Sequence, residues 1–524
     1  MKKLIDEQEA LVKDLERESA AAYWDAALNA TPENEKRAAD LGTQHSLCYA
    51  DPTRYAALLA TDDATDHDTL RARKLLIDGF AGNQMPADVL RDLNERAMVI
   101  ESTFSSFRAN LGGKEVTDND LKALLKSSTD NAERQQAWEA SKLIGEQVAP
   151  KLLELVAIRN REAQRLGFPD YYVMQIRLQE LDETELFRVL DDTSEQITPA
   201  FLEYKASLDT SLAAKYGIAE ADLRPWHYAD PFFQDAPSTG LSLDSYFEGK
   251  DLEAIAKRFF TAIGMPIDRL IAQSDLYERP GKTQHAFCTT IGRGTGDVRV
   301  ACNLRPDARW MGTLLHEFGH AVYDDLIDRE LPYFLRSIAH ILTTEAIAEF
   351  MGRLTDNPAW LAEYVGVPES DAEAIGRAAH ESGRAHLLVF TQWVQVMTHF
   401  ERALYANPAQ DLNTLWWDLV EKYQRVKRPE NRSAADWAAK IHLATAPVYY
   451  HNYLLGEMNA SQFLHTLRKE VAPTDRELVT SPAVGAWLTE QIFRPGARYR
   501  WNELLERATG EPLNPAYFVA ETVA

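Results

Sequence analysis

Three cysteines in 524 residues are too few for a disulfide framework, and their odd number leaves at least one thiol unpaired. A reducing, cytosolic setting is the default expectation. Positive charge is also scarce: 56 Lys and Arg stand against 80 Asp and Glu, a formal net charge of −24. Such a chain repels a polyphosphate backbone, which argues against nucleic acid as a partner. There is no polybasic stretch to seat on anionic lipid, and no apolar run approaches a membrane span. Met1–Ala10 carries two lysines but no apolar core, so no signal peptide is expected. Fixed-period repeats, low-complexity tracts and long flexible linkers are missing as well. A single unit over 1–524 is therefore expected, although the length prior allows two to four.

What is present is amphipathic helix. Apolar residues recur at helical spacing over 3–28, 33–49, 67–81, 86–109, 131–166, 182–215 and 251–264. The pattern resumes over 308–329, 338–355, 371–406, 413–426 and 448–471. The acidic N-terminal helices read as solvated faces. One region departs from this period. Thr283 to Gly292, a Gly-rich turn to Asp297, and Val298 to Cys302 read as strand, turn, strand. The fold class expected is mostly α with one small β-hairpin.

The helix over 308–329 contains His316-Glu317-Phe318-Gly319-His320. Two histidines four apart share a helix face, so both imidazoles can reach one Zn²⁺. Glu317 is placed to take a proton from a zinc-activated water, and zinc can polarise a carbonyl. These are what peptide hydrolysis lacks in plain water. A lone match in a chain with 13 histidines needs corroboration.

The next helix supplies it. A catalytic zinc keeps three protein ligands and one open position. In Ile341 to Phe350, Glu345 and Glu349 lie one turn apart on one face of an otherwise apolar helix. A carboxylate there is costly unless paired or bound to metal. Glu345 is assigned as third ligand and Glu349 as the carboxylate that orients a ligand histidine. The two roles can be exchanged at this stage.

Two further segments carry candidate chemistry. The hairpin edge can pair with an extended peptide, with His285 reaching a substrate carbonyl and Ala286 offering backbone groups. Taken alone, His285 is more simply structural. Downstream, Lys440 and His442 flank an extended or turn segment ending at Pro447, and Tyr450 and Tyr453 follow one turn apart. A tetrahedral intermediate needs donors aimed at its oxyanion. His442 and Tyr453 can supply them, while Lys440 suits a carboxylate; the aromatics can equally be core.

Together these residues resemble a family. Ala137-Trp138-Glu139, Leu155 to Ala163 and Gly167 to Tyr171 share the pattern of the angiotensin-converting-enzyme zinc peptidases. So do His285-Ala286, His316 to His320, Leu331-Pro332 with Arg336, and Glu345-Ala-Ile. Trp416-Trp417, Lys422-Tyr423-Gln424 and Ala439-Lys440-Ile-His442 continue it. Thimet and oligoendopeptidase F enzymes are wider kin. The resemblance runs over about residues 130–510, the expected catalytic body; residues 1–110 share only helical character with the family's lid helices. It implies a mostly α, two-lobed gluzincin fold with a deep central channel, one zinc per chain and short peptides as substrates. It also implies that His285 and His442 bind the substrate carbonyl region and Tyr453 stabilises the oxyanion. Lys440 with Tyr450 would hold the terminal carboxylate.

Three departures accompany it. A glutamine expected near Pro225 to Tyr228 to grip that carboxylate is not found there. His451-Asn452 stands where an arginine for activating chloride is expected, so chloride dependence is not implied. Glu345 follows His320 by 25 residues, one more than in the converting-enzyme type and equal to the thimet type. The reading is therefore a zinc dipeptidyl carboxypeptidase, with an oligoendopeptidase as the alternative. A catalytically dead peptide-binding relative is disfavoured by the intact ligands and Glu317.

Overall fold

The computed structural model describes residues 1–237 and 243–523. It is mostly α, 70% helical, with two small antiparallel two-stranded sheets among the described residues. The chain divides into two compact units built from interleaved segments: 1–84, 240–380 and 455–518 in the first, and 85–239, 381–454 and 519–524 in the second. No described helix is long and apolar enough to cross a membrane.

In the first unit, the opening helix Lys2–Leu28 buries Ile5, Gln8 and Val12 along one face and Ala22 and Trp24 near its end. Trp24 packs with Ile291 and Ala301, and Phe287 covers this cluster, which ties the helix to the hairpin. The hairpin pairs Phe287–Thr290 with Val298–Ala301, Phe287 opposite Ala301 and Thr290 opposite Val298. The strand is shorter than the 283–292 run expected from sequence. Residues 283–286 are held instead by loop contacts: the Thr283 N–H donates to Ala27 O, and Asn303 Nδ2 donates to Thr283 O.

In the second unit, helix Asn131–Arg165 is the spine, burying Trp138, Ile144, Val148, Leu152, Leu155 and Val156. Gly145 has to be glycine, because a Cβ there would sit 2.3 Å from the Ala435 carbonyl oxygen. Helix Glu183–Tyr216 ends on Gly217 at φ 64°, a left-handed cap that glycine adopts freely.

The expected helices are present with shifted ends. The 86–109 run stops at Ser106, and Ala109–Leu111 pairs with Lys114–Val116 as a second hairpin. Helices Pro52–Ala60, Asp118–Ser127 and Tyr171–Leu178 were not anticipated, being too short to show periodicity.

Candidate metal centre and substrate-binding cluster

The motif helix spans Ala308–Leu326, with the Asp307 side chain accepting the Trp310 N–H at its start. Leu314, Leu315, Phe318, Ala321 and Val322 are buried, so the helix is fixed by its apolar face. The glutamate helix, Ile341–Arg353, starts where the His340 ring accepts the Leu342 N–H. The two helices pack through small residues. A Cβ on Gly319 would lie 3.0 Å from Ala348 Cα, and one on Gly352 would lie 3.5 Å from both Gly312 O and His316 Cβ. That close approach carries Glu345 to the two histidines.

Glu345 Oε2 is 4.0 Å from His316 Nε2 and 4.0 Å from His320 Nε2. One donor atom from each of the three residues falls within 4.8 Å of the others. The opposite ring nitrogens face away: His316 Nδ1 lies 3.7 Å from Glu349 Oε1, and His320 Nδ1 lies 2.7 Å from Thr344 Oγ1. With Nδ1 protonated toward these partners, both Nε2 lone pairs point at the same space. Zinc bonds of about 2.0–2.1 Å separate tetrahedral donors by roughly 3.4 Å, so a small inward movement closes the set. This donor set fits zinc.

Burial pushes the Glu317 carboxyl up to about 7; His316 pulls it down and Glu345 raises it further. Burial, then His316, pushes His320 down to about 3, so its ring is neutral. Neutral imidazole is the form that binds metal. Lower on the motif helix, half-buried Asp324 accepts from Thr290 Oγ1 at 2.9 Å, fastening the helix to the hairpin.

His285 is exposed and half-buried Ala286 follows it, both just ahead of the strand. Their approach is fixed by Lys282, whose buried ammonium donates to Asp275 Oδ1 at 2.8 Å, Asp275 O at 2.8 Å, Tyr277 O at 2.9 Å and Cys302 O. Neither residue is among those whose donors cluster around Glu345.

The second unit assembles the other candidates. Asp436–Ala439 is a 3-10 turn and His442–Thr445 a single helical turn. The following helix begins at His451, so Tyr450 precedes it. Tyr450 still meets Tyr453, ring centroids 5.4 Å apart, and meets His442 at 5.2 Å. The Tyr450 hydroxyl accepts from Trp393 Nε1 at 2.8 Å. Lys440 Nζ lies 5.3 Å from the Trp393 ring centre and 5.5 Å from that of Tyr450. Burial pushes Lys440 down to about 8, while Asp230 holds it up. Burial, then Lys440, pushes His442 down to about 4.

No glutamine stands beside Pro225 to Tyr228, but Gln234, further along, brings its Oε1 to 2.5 Å from Lys440 Nζ. The half turn at Asp230, whose carboxylate accepts the Phe232 and Gln234 N–H groups, carries it there. Thr344 also escaped the sequence reading, since a threonine on an apolar helix carries no distinctive signal. Its position next to Glu345 is the one hint.

Comparison with known proteins is consistent with this geometry. A family model described as angiotensin-converting enzyme matches residues 1–226, and one described as peptidase family M3 matches residues 271–523. The first match reaches residue 1, so the resemblance extends into the N-terminal helices. Angiotensin-converting enzyme of Rattus norvegicus is 23% identical over 436 residues, covering 75% of this chain and 32% of that protein. Carboxypeptidase 1 of Bacillus subtilis is 27% identical over 268 residues, covering 46% of this chain and 52% of its own. Thermostable carboxypeptidase 1 of Pyrococcus furiosus is 25% identical over 262 residues, covering 45% and 51%. The alignments with these relatives thus span about a third to a half of the relatives' length. The chain resembles both zinc-dependent peptidase families.

Proposed function

We propose that this chain is a zinc metallopeptidase of short peptides that releases dipeptides from the C-terminus. The observation that carries the reading is the triangle of His316, His320 and Glu345 donors beside buried Glu317. One zinc per chain belongs to this reading, held by those three residues with Glu349 behind His316. When bound, zinc would polarise the scissile carbonyl and acidify water.

Glu317 accepts the proton of the attacking water and returns it to the leaving amine. Its burial keeps competing solvent away from the proton it exchanges. Tyr453 and His442 donate to the developing oxyanion, His285 and Ala286 hold the substrate backbone, and Lys440 with Tyr450 and Gln234 receives the terminal carboxylate. Lys440 suits that task because a neutral amide, Gln234, is its hydrogen-bond partner, which leaves its charge for an anion. Two relatives are named carboxypeptidases, which favours action at a free C-terminus. A cytosolic setting accords with Cys48, Cys288 and Cys302 as free thiols.

The second reading is an oligoendopeptidase, favoured by the M3 match over residues 271–523. Mass spectrometry of products from a mixed peptide library separates the two. Dipeptides from free C-termini are expected; internal cuts at varied distances from the end would favour the endopeptidase, and no cleavage by the zinc-loaded chain would overturn both.

A further inference from the structure

Val448 stands at φ 55°, in the left-handed region that β-branched residues avoid. It is 1% exposed, directly after Pro447 and two residues before Tyr450. Strain of this kind persists only where the surroundings over-determine it. Here the Val448 N–H donates to the Glu401 carboxylate at 2.8 Å, and the Val448 carbonyl accepts from Gln179 Nε2 at 2.9 Å. Gln179 uses its other end on the start of the tyrosine helix. Its Oε1 accepts from Asn452 Nδ2 at 2.9 Å and lies 3.2 Å from His451 Nε2. Upstream, Arg159 donates to Ala444 O at 2.9 Å and to the Tyr405 hydroxyl at 3.0 Å.

Arg159 grips the segment before the turn and Glu401 grips one side of Val448. Gln179 spans the turn and the first helical residues after it. One amide therefore couples the strained turn to the residues that flank Tyr453.

We propose that Gln179 is a positioning residue for the reaction: it holds Val448 in its left-handed conformation and fixes the helix start at His451, which aims Tyr450 and Tyr453. The inference rests on the reading of Tyr453 as an oxyanion donor. A glutamine that merely satisfied a buried carbonyl would affect stability and leave the chemical step alone. A positioning glutamine acts on kcat, because misaimed donors lose transition-state contacts more than ground-state ones.

The test measures kcat, KM and zinc content of the zinc-loaded chain on an internally quenched peptide for Gln179→Ala, Val448→Gly, the double variant and Tyr453→Phe. Gln179→Ala is expected to lower kcat about ten- to a hundred-fold with KM nearly unchanged and zinc retained. Glycine adopts φ 55° without penalty, so Val448→Gly should recover much of that kcat in the double variant. If Gln179→Ala lowers thermal stability alone while Tyr453→Phe lowers kcat, the positioning role is overturned. If Tyr453→Phe leaves kcat unchanged, the oxyanion reading itself fails, whatever Gln179→Ala does. Should Gln179→Ala not fold, Gln179→Glu keeps the acceptor for Asn452 and loses the donor to Val448. Wild-type kcat in that variant would equally overturn the proposal.

Discussion

His320 Nδ1 lies 2.7 Å from Thr344 Oγ1, the side chain immediately before Glu345. With the ring protonated at Nδ1 toward Thr344, the Nε2 lone pair faces the space that it shares with Glu345 Oε2, 4.0 Å away. Glu349 Oε1 lies on the corresponding side of His316, 3.7 Å from Nδ1 and beyond hydrogen-bond length. Thr344→Val should therefore weaken zinc binding about ten- to a hundred-fold, the usual cost of losing such a partner. Thr344→Ser should retain the parental affinity. Competition with a chromophoric chelator measures this, and equal affinity in Thr344→Val would assign the hydroxyl no part in orienting the ring.

Glu317 and Glu345 are separated by what each removal does. Glu317→Gln should keep stoichiometric zinc and lose about 10²- to 10⁴-fold in turnover, because an amide accepts no proton from water. Glu345→Ala should release zinc, because Glu345 Oε2 is the oxygen set between both Nε2 atoms. Metal analysis after dialysis decides it: zinc lost from Glu349→Ala but kept by Glu345→Ala would reverse the two carboxylates.

The helical class and the candidate metal donors were legible because both rest on short-range pattern. His316 and His320 share a face by helix geometry alone, and Glu345 lies on an apolar helix where a carboxylate calls for a partner. Gln234 was not legible. It reaches Lys440 across some 200 residues of sequence through an irregular turn at Asp230, and no period announces a turn. The strand ahead of Phe287 was over-extended for a similar reason. Thr283 to Ala286 run straight into the strand, yet Lys282, Ala27 and Asn303 hold that segment as loop. Tyr450 falls outside its expected helix because Val448 adopts a left-handed turn that sequence gives no reason to expect at valine.

Gly319 tests how closely the two metal helices must pack. A methyl group there meets Ala348 Cα at 3.0 Å and Met351 Cγ at 3.2 Å, and the backbone atom cannot swing aside. Gly319→Ala should cost about 1–3 kcal/mol of stability through overpacking. It should also weaken zinc binding, since the helices must part and Glu345 moves with its helix. Thermal melts of the zinc-free chain and chelator competition report the two effects; wild-type zinc affinity would mean the helices absorb the methyl without moving Glu345.

Glu401 makes stability depend on pH. Burial pushes its carboxyl up to about 8, although the Val448 N–H and Arg159 pull it back. In the unfolded chain the group titrates near its ordinary value of about 4.3. Between these limits the folded state holds more protons, so this contribution is complete below the lower value and is lost as pH rises toward 8. Glu401→Gln keeps an acceptor for the Val448 N–H and removes the charge. Its melting temperature should decline less than that of the parent between pH 5.5 and 8.5, by an amount on the order of a few kcal/mol in stability. Parallel declines would show Glu401 ionised throughout.

Lys440 gives the sharpest pH signature in binding. Burial lowers its ammonium to about 8, and its hydrogen-bond partner Gln234 carries no charge to hold the proton. A peptide with a free C-terminus should therefore bind well below pH 8, and its KM should climb as pH passes that value and the lysine neutralises. The amidated peptide lacks the anion, so its KM should start higher and stay flat over the same window. At pH 7 the free acid should be preferred about ten-fold or more in kcat/KM, equivalent to roughly 1.4 kcal/mol. Lys440→Met should erase both the preference and the pH dependence of KM while leaving zinc in place. Gln234→Ala should reduce the preference less, because it removes a neutral partner and keeps the charge. Free and amidated peptides cleaved equally at pH 7 and pH 9 would remove Lys440 from substrate binding and with it the argument for a carboxypeptidase.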